Sequence, residues 1–121
     1  MRGQIPILRV AGCLLTTIHV ELDDSIAEAF QQDLLRAIER TGAAGLVIDI
    51  SMLEEVDTYV ARILVETAQM TKLMGTRTAI VGMRAEVAAT LIGMGYPMTG
   101  VETALDVDEG LALLGARGGG R

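Results

Sequence analysis

Two short runs rich in apolar and β-branched residues open the chain, at 5–10 and 13–20, and Ala11-Gly12 between them predicts a tight hairpin turn. Asp23-Asp24-Ser25 then marks a helix start, because acidic and hydroxyl side chains satisfy the free amides of a first turn. From there Ile26, Phe30, Leu34 and Ile38 recur at every fourth position and share one face. Glu28, Gln32, Arg36 and Glu39 take the opposite face, and Gly42 stops the helix. Residues 45–50 form an apolar run too short for a helix and suited to a buried strand. A second helix is predicted over 57–74, with Val60, Ile63, Leu64, Thr67, Thr71 and Met74 facing inward and Gly75 ending it. Residues 77–82 are predicted as a strand, 84–93 as a helix closed by Gly93 and Gly95, and 101–104 as a short strand. Asp106-Val107-Asp108-Glu109 opens a last helix toward Leu111 and Leu114. Strands alternating with helices after a hairpin predict an α/β domain, a mixed β-sheet of about five strands covered by about four helices. Such cover leaves little room for a deep pocket. The domain is expected to span 1–114, with the Gly-rich stretch 115–121 as a flexible tail.

Composition sharpens this picture. The 121 residues suit one domain, long enough to bury roughly two-thirds of the surface the unfolded chain exposes. Its core must be aliphatic, since Phe30, Tyr59 and Tyr96 are the only aromatics. The net charge of −6, with basic residues scattered among acidic ones, argues against nucleic-acid and anionic-membrane surfaces as partners. One cysteine, Cys13, cannot close an internal disulfide, and no apolar run approaches the ~20 residues of a membrane span. A cytoplasmic protein is the expectation.

Candidate chemistry is sparse. Neither a P-loop string nor Gly-x-Gly-x-x-Gly after a strand occurs. His19 and Cys13 sit at an alternation-matched spacing on the second run, but two ligands do not make a zinc site. His19 is expected to be a sheet residue with a satisfied ring nitrogen, and Cys13 a small packed side chain. The methionines Met70, Met74, Met83, Met94 and Met98 are expected to serve as adaptable core packing. No catalytic residue, cofactor or metal is predicted. What stands out is Asp49-Ile50-Ser51-Met52-Leu53-Glu54-Glu55-Val56-Asp57-Thr58-Tyr59-Val60. A short apolar run ends in an acidic turn that delivers one hydroxyl, Thr58, beside Asp57, where a long helical pattern begins. Asp57 suits an N-cap, and Thr58 beside it is either an ordinary solvent-facing residue or a modified one. A phosphate on Thr58 would meet free helix amides and the positive end of the helix dipole. A small enzyme using Asp57, Thr58 and His19 is the competing reading from a different class, with little pocket-forming length behind it.

Strand, acidic turn, Asp-hydroxyl and helix together resemble the STAS domain of bacterial anti-sigma-factor antagonists. In that family the hydroxyl at this turn, usually a serine, is phosphorylated by a partner kinase; here Asp57-Thr58 occupies the matching positions. General antagonists often carry Asp-Ser-Ser/Thr-Gly, whereas this chain has Asp57-Thr58-Tyr59-Val60 without the glycine. That departure is similar to the RsbS-type scaffold proteins of the stressosome, as are Ile5-Pro6-Ile7-Leu8, Glu21-Leu22-Asp23-Asp24, Thr71-Lys72-Leu73-Met74-Gly75 and Glu102-Thr103-Ala104-Leu105-Asp106. So is the expectation that no N-terminal sensory domain of the RsbR type is present. The resemblance spans about residues 5–114. It implies a non-enzymatic scaffold, homodimeric and joined with RsbR-type STAS proteins in a large assembly. Such a scaffold sequesters an RsbT-type serine/threonine kinase until Thr58 is phosphorylated, and an RsbX-type phosphatase resets it. Glu54, Glu55, Asp57, Thr58 and Tyr59 would then form the partner-binding surface. The alternatives are a plain anti-sigma factor antagonist that binds an anti-sigma kinase directly, and a STAS subunit of a transport system.

Overall fold

The computed structural model describes residues 5–19, 22–95 and 101–115. Strands β1 (Ile7–Val10), β2 (Cys13–Thr17), β3 (Gly45–Asp49), β4 (Arg77–Val81) and β5 (Glu102–Ala104) form one sheet in chain order. Helices α1 (Asp24–Thr41), α2 (Thr58–Leu73), α3 (Ala85–Met94) and α4 (Val107–Leu113) connect or follow them. The β1–β2 pair is antiparallel and every other pair is parallel, so the predicted mixed sheet with four helices is borne out. Ala11 and Gly12 both hold positive φ, 53° and 82°, as a two-residue hairpin turn with the right twist demands.

The two faces of the sheet are covered unequally. On one, Leu14, Ile18, Leu46, Ile48 and Ile80 pack with Phe30, Leu34 and Ile38 of α1, Val60, Ile63 and Leu64 of α2, and Val87 and Leu91 of α3. On the other, among the described residues, α4 is the one helix over Val47, Ala79 and Val81, bringing Val107 and Leu111. A Cβ at Gly110 would fall 2.7 Å from Val81 Cγ1, so α4 reaches the sheet this closely only with glycine there.

Several boundaries differ from the sequence pattern, each for a local reason. β1 starts at Ile7 because Pro6 has no N–H to give to the ladder; its carbonyl instead accepts from the Thr16 hydroxyl at 2.9 Å. β2 ends at Thr17, which leaves His19 beyond the strand and exposed, not within the sheet. Met74 is the C-cap of α2 and 42% exposed, so it does not face inward as periodicity alone suggests. α3 runs past Gly93 to Met94, and Gly95, with φ 73°, is its stop. Met83 and Met94 do pack against the core, whereas Met70 is 39% exposed. Met98 and the stretch 116–121, which holds nearly all of the predicted tail, lie outside the described residues.

Candidate functional site

Because β2, β3 and β4 run parallel, the segments that leave their C-terminal ends gather at one end of the sheet. The segment after β3, residues 50–57, is tied down over its first half, residues 50–53. Ile50 N–H donates to the Val81 carbonyl at 3.0 Å and Leu53 N–H to the Ile50 carbonyl at 2.9 Å. The Asp49 carboxylate accepts from Ser51 N–H at 2.9 Å, a local turn that starts the loop. Arg84 Nε donates to the Ser51 carbonyl at 3.0 Å, and the Ile50 and Leu53 side chains are buried. Gly82, at φ 76°, faces Ser51 so closely that a Cβ would lie 2.7 Å from the Ser51 Cβ. The loop is therefore pressed against the end of β4.

This fixed loop delivers the start of α2. Asp57 has extended backbone, φ −82° and ψ 174°, and its carboxylate accepts from Val60 N–H at 2.8 Å, the predicted N-cap. Thr58 is the first residue of α2 and its side chain is exposed. Capping satisfies Val60, while the Thr58 and Tyr59 amides have no carbonyl one turn earlier in the helix. Glu54, Glu55 and Asp57 are exposed around the hydroxyl, and Val56 and Tyr59 are half-buried. Glu54, Glu55, Asp57 and Thr58 thus make an exposed acidic ledge in sequence, with half-buried Tyr59 next to it.

Tyr59 turns toward α1. Its hydroxyl donates to Glu28 Oε2 at 2.8 Å, and the Arg62 guanidinium lies 5.2 Å from the ring centroid. The Glu28 hydrogen bond, followed by desolvation and the charges of Glu28 and Asp24, raises the Tyr59 phenol above its ordinary range, with Arg62 pulling the other way. Between the α1 and α2 starts lies a half-open cleft of about 460 Å³, lined by Leu22, Asp23, Leu53, Glu55, Val56, Asp57 and Val60. Asp23, the N-cap of α1, is held below the usual carboxylate range by the Ile26 amide and the Ser25 hydroxyl. Two capping aspartates therefore line one half-open cleft, which is not the deep pocket that helix cover of the sheet argues against.

Other candidates disperse. Cys13 is buried, and burial pushes its thiol up, as suits a packed side chain. The exposed His19 ring has Nδ1 3.2 Å from the Thr17 carbonyl, so its ring nitrogen has a partner even though it has left the sheet. Among the described residues no group of three or more His, Cys, Asp or Glu side chains is placed to hold a metal. Glu28, Arg62 and Arg84 were not foreseen at this end of the molecule. Only Arg62 carried a signal, as the single basic residue between Arg40 and Lys72 in a stretch with five carboxylates.

A family model described as the STAS domain matches residues 4–108. Among solved structures, a serine-to-glutamate variant of RsbS from Moorella thermoacetica is 39% identical, with a TM-score of 0.83, covering 92% of this chain and 94% of that one. A chain from the stressosome, described as a signal integration and transduction hub, is 35% identical with a TM-score of 0.75, covering 91% of this chain and 96% of that one. The RsbT co-antagonist protein RsbRD of Bacillus subtilis is 32% identical over 95 residues, 78% of this chain and 34% of that protein. The chain spans about a third of the length of the curated relatives it matches. It belongs to the STAS domain family, and within that family it is similar to the RsbS and RsbR proteins of the stressosome.

Proposed function

We propose that this protein is a non-enzymatic scaffold of a cytoplasmic stressosome that sequesters an RsbT-type serine/threonine kinase and releases it once Thr58 is phosphorylated. The observation that carries it is the exposed Thr58 hydroxyl at the first position of α2, beside an Asp57 cap and on a loop pinned to β4. The kinase transfers the γ-phosphoryl group of ATP to Thr58 Oγ1; the bond to ADP breaks and the hydroxyl proton leaves with the kinase's base. The product adds roughly −1.5 to −2 charges, which the helix N-terminus tolerates, while Glu54, Glu55 and Asp57 leave the ledge more repulsive to an incoming partner. Kinship with an RsbT co-antagonist supports the choice of kinase, and RsbR-type proteins are the natural co-assembly partners. An RsbX-type phosphatase would reset the ledge.

Incubation with an RsbT-type kinase and ATP, followed by intact-mass and fragment mass spectrometry, tests the proposal. A single phosphate on Thr58, lost in Thr58→Ala, supports it. Phosphate elsewhere, or none, overturns it in favour of a passive scaffold. A protein that stays small in solution with RsbR-type partners present, and binds a sigma-inhibiting kinase alone, would instead be a plain antagonist.

A further inference from the structure

The acidic ledge around Thr58 has one cation within about a turn of it on its own helix, the other, Lys72, lying in the last turn. Arg62 is the only basic residue between Arg40 and Lys72, whereas Asp49, Glu54, Glu55, Asp57 and Glu66 share that stretch. It stands four residues after Thr58 and three after Tyr59, the two spacings at which helix side chains are neighbours. Helical side chains lean toward the N-terminus, so Arg62 extends back over the first turn of α2. The structure catches it there, its guanidinium 5.2 Å from the centre of the Tyr59 ring. Among the described residues the ion pairs are Arg36–Asp33 and Arg77–Glu102, so Arg62 makes none, not even with Glu66 one turn further on. Arg84, the other cation near the loop, is engaged with the Ser51 carbonyl.

We infer that Arg62 is the internal partner of a phosphate on Thr58, leaving the Tyr59 ring to pair with the phosphoryl oxygens one turn away. Its role rests on Thr58 being the acceptor. A dianion offers a guanidinium charge-assisted, forked hydrogen bonds, which outweigh contact with the face of a neutral ring. The swing is short, because Thr58 and Tyr59 are adjacent on the same turn. It has two consequences. Part of the new negative charge is neutralised within the chain, so Arg62 sets how strongly the modified ledge repels its partner. Tyr59 also loses the cation from its ring face, while its Glu28 hydrogen bond and core packing stay.

The test installs phosphothreonine at position 58 of the full chain by genetic-code expansion, so no kinase is involved, and follows its ³¹P resonance through a pH titration. The second phosphate ionisation of the wild-type sequence is expected roughly half a unit or more below that of Arg62→Gln, with Arg62→Lys in between. The Tyr59 ring protons should shift with that ionisation in wild type and not in Arg62→Gln. Coincident titrations in wild type and Arg62→Gln, with Tyr59 signals unmoved in both, overturn the assignment. Arg62 is exposed, so its replacement leaves the core intact. A kinase that never modifies Thr58 would overturn the signalling role and leave this titration as it stands, so the two failures are told apart.

Discussion

At the residue scale, Asp57 and Thr58 divide two jobs that the chain places side by side. Asp57 closes the helix start through Val60 N–H, and Thr58 carries a hydroxyl into solvent. Asp57→Ala is expected to lower stability by about 1 kcal/mol through the lost cap, and Asp57→Asn by much less, measured by urea unfolding. Equal losses in the two variants would mean that charge, rather than capping, is what Asp57 contributes. The cap was legible because aspartate before an apolar-periodic run has one dominant structural use. Glu28 was legible only as an outward-facing residue, since nothing in one helix's periodicity reveals which side chain a second helix brings to it.

At the scale of elements, α1 and α2 are joined near their starts by the Tyr59–Glu28 bond and further along by Gln31 Nε2, which donates to the Thr67 hydroxyl at 3.0 Å. The Tyr59 phenol ionises above its ordinary value because the folded state favours its neutral, donating form. Its contribution is therefore fully present below the unfolded tyrosine pKa and is lost as pH rises through the raised folded one. Ultraviolet titration should show one tyrosine ionising late in wild type, and Glu28→Gln should bring that ionisation back toward the ordinary range. Unchanged titration in Glu28→Gln would show the bond to be absent in solution. Element identity was readable in the described residues because helices repeat every four positions, while the strands are short apolar runs bounded by turn residues. Ends were less so: Met74 keeps helical spacing after the helix has finished, and His19 keeps strand alternation after the last ladder pair at Thr17. Periodicity marks which face a residue would take, while hydrogen bonding decides where the element stops.

At the scale of the whole molecule, the parallel strands bring the post-β3 loop and the start of α2 to one end, away from the hairpin turn. A modification there adds charge at the rim and reaches none of the buried aliphatic core. Thr58→Asp should leave the unfolding midpoint near that of wild type while weakening capture of the kinase. A loss of 1.4 kcal/mol would reduce one contact tenfold, and repetition across an assembly would magnify it. Calorimetry for the fold and co-purification for the kinase measure the two effects, and kinase held as tightly by Thr58→Asp as by wild type would sink the release mechanism. The fold was legible as a whole because each local signal agreed with one layer architecture. The cleft between the α1 and α2 starts was not, since it arises from where two loops meet.

The pinning of residues 50–53 at the end of β4 bears on how a modifying enzyme would recognise Thr58. Cut out as a linear peptide, the same residues would lose the Val81 and Arg84 contacts and the buried anchors Ile50 and Leu53. A piece that short would scarcely form a helix in water. The kinase would therefore read a three-dimensional shape rather than a string of letters, and peptide arrays or consensus scans would overlook this substrate. A hydroxyl displayed with no unfolding step also lets a phosphatase reach it as readily as the kinase does. The lifetime of the mark then belongs to the relative amounts of those two enzymes.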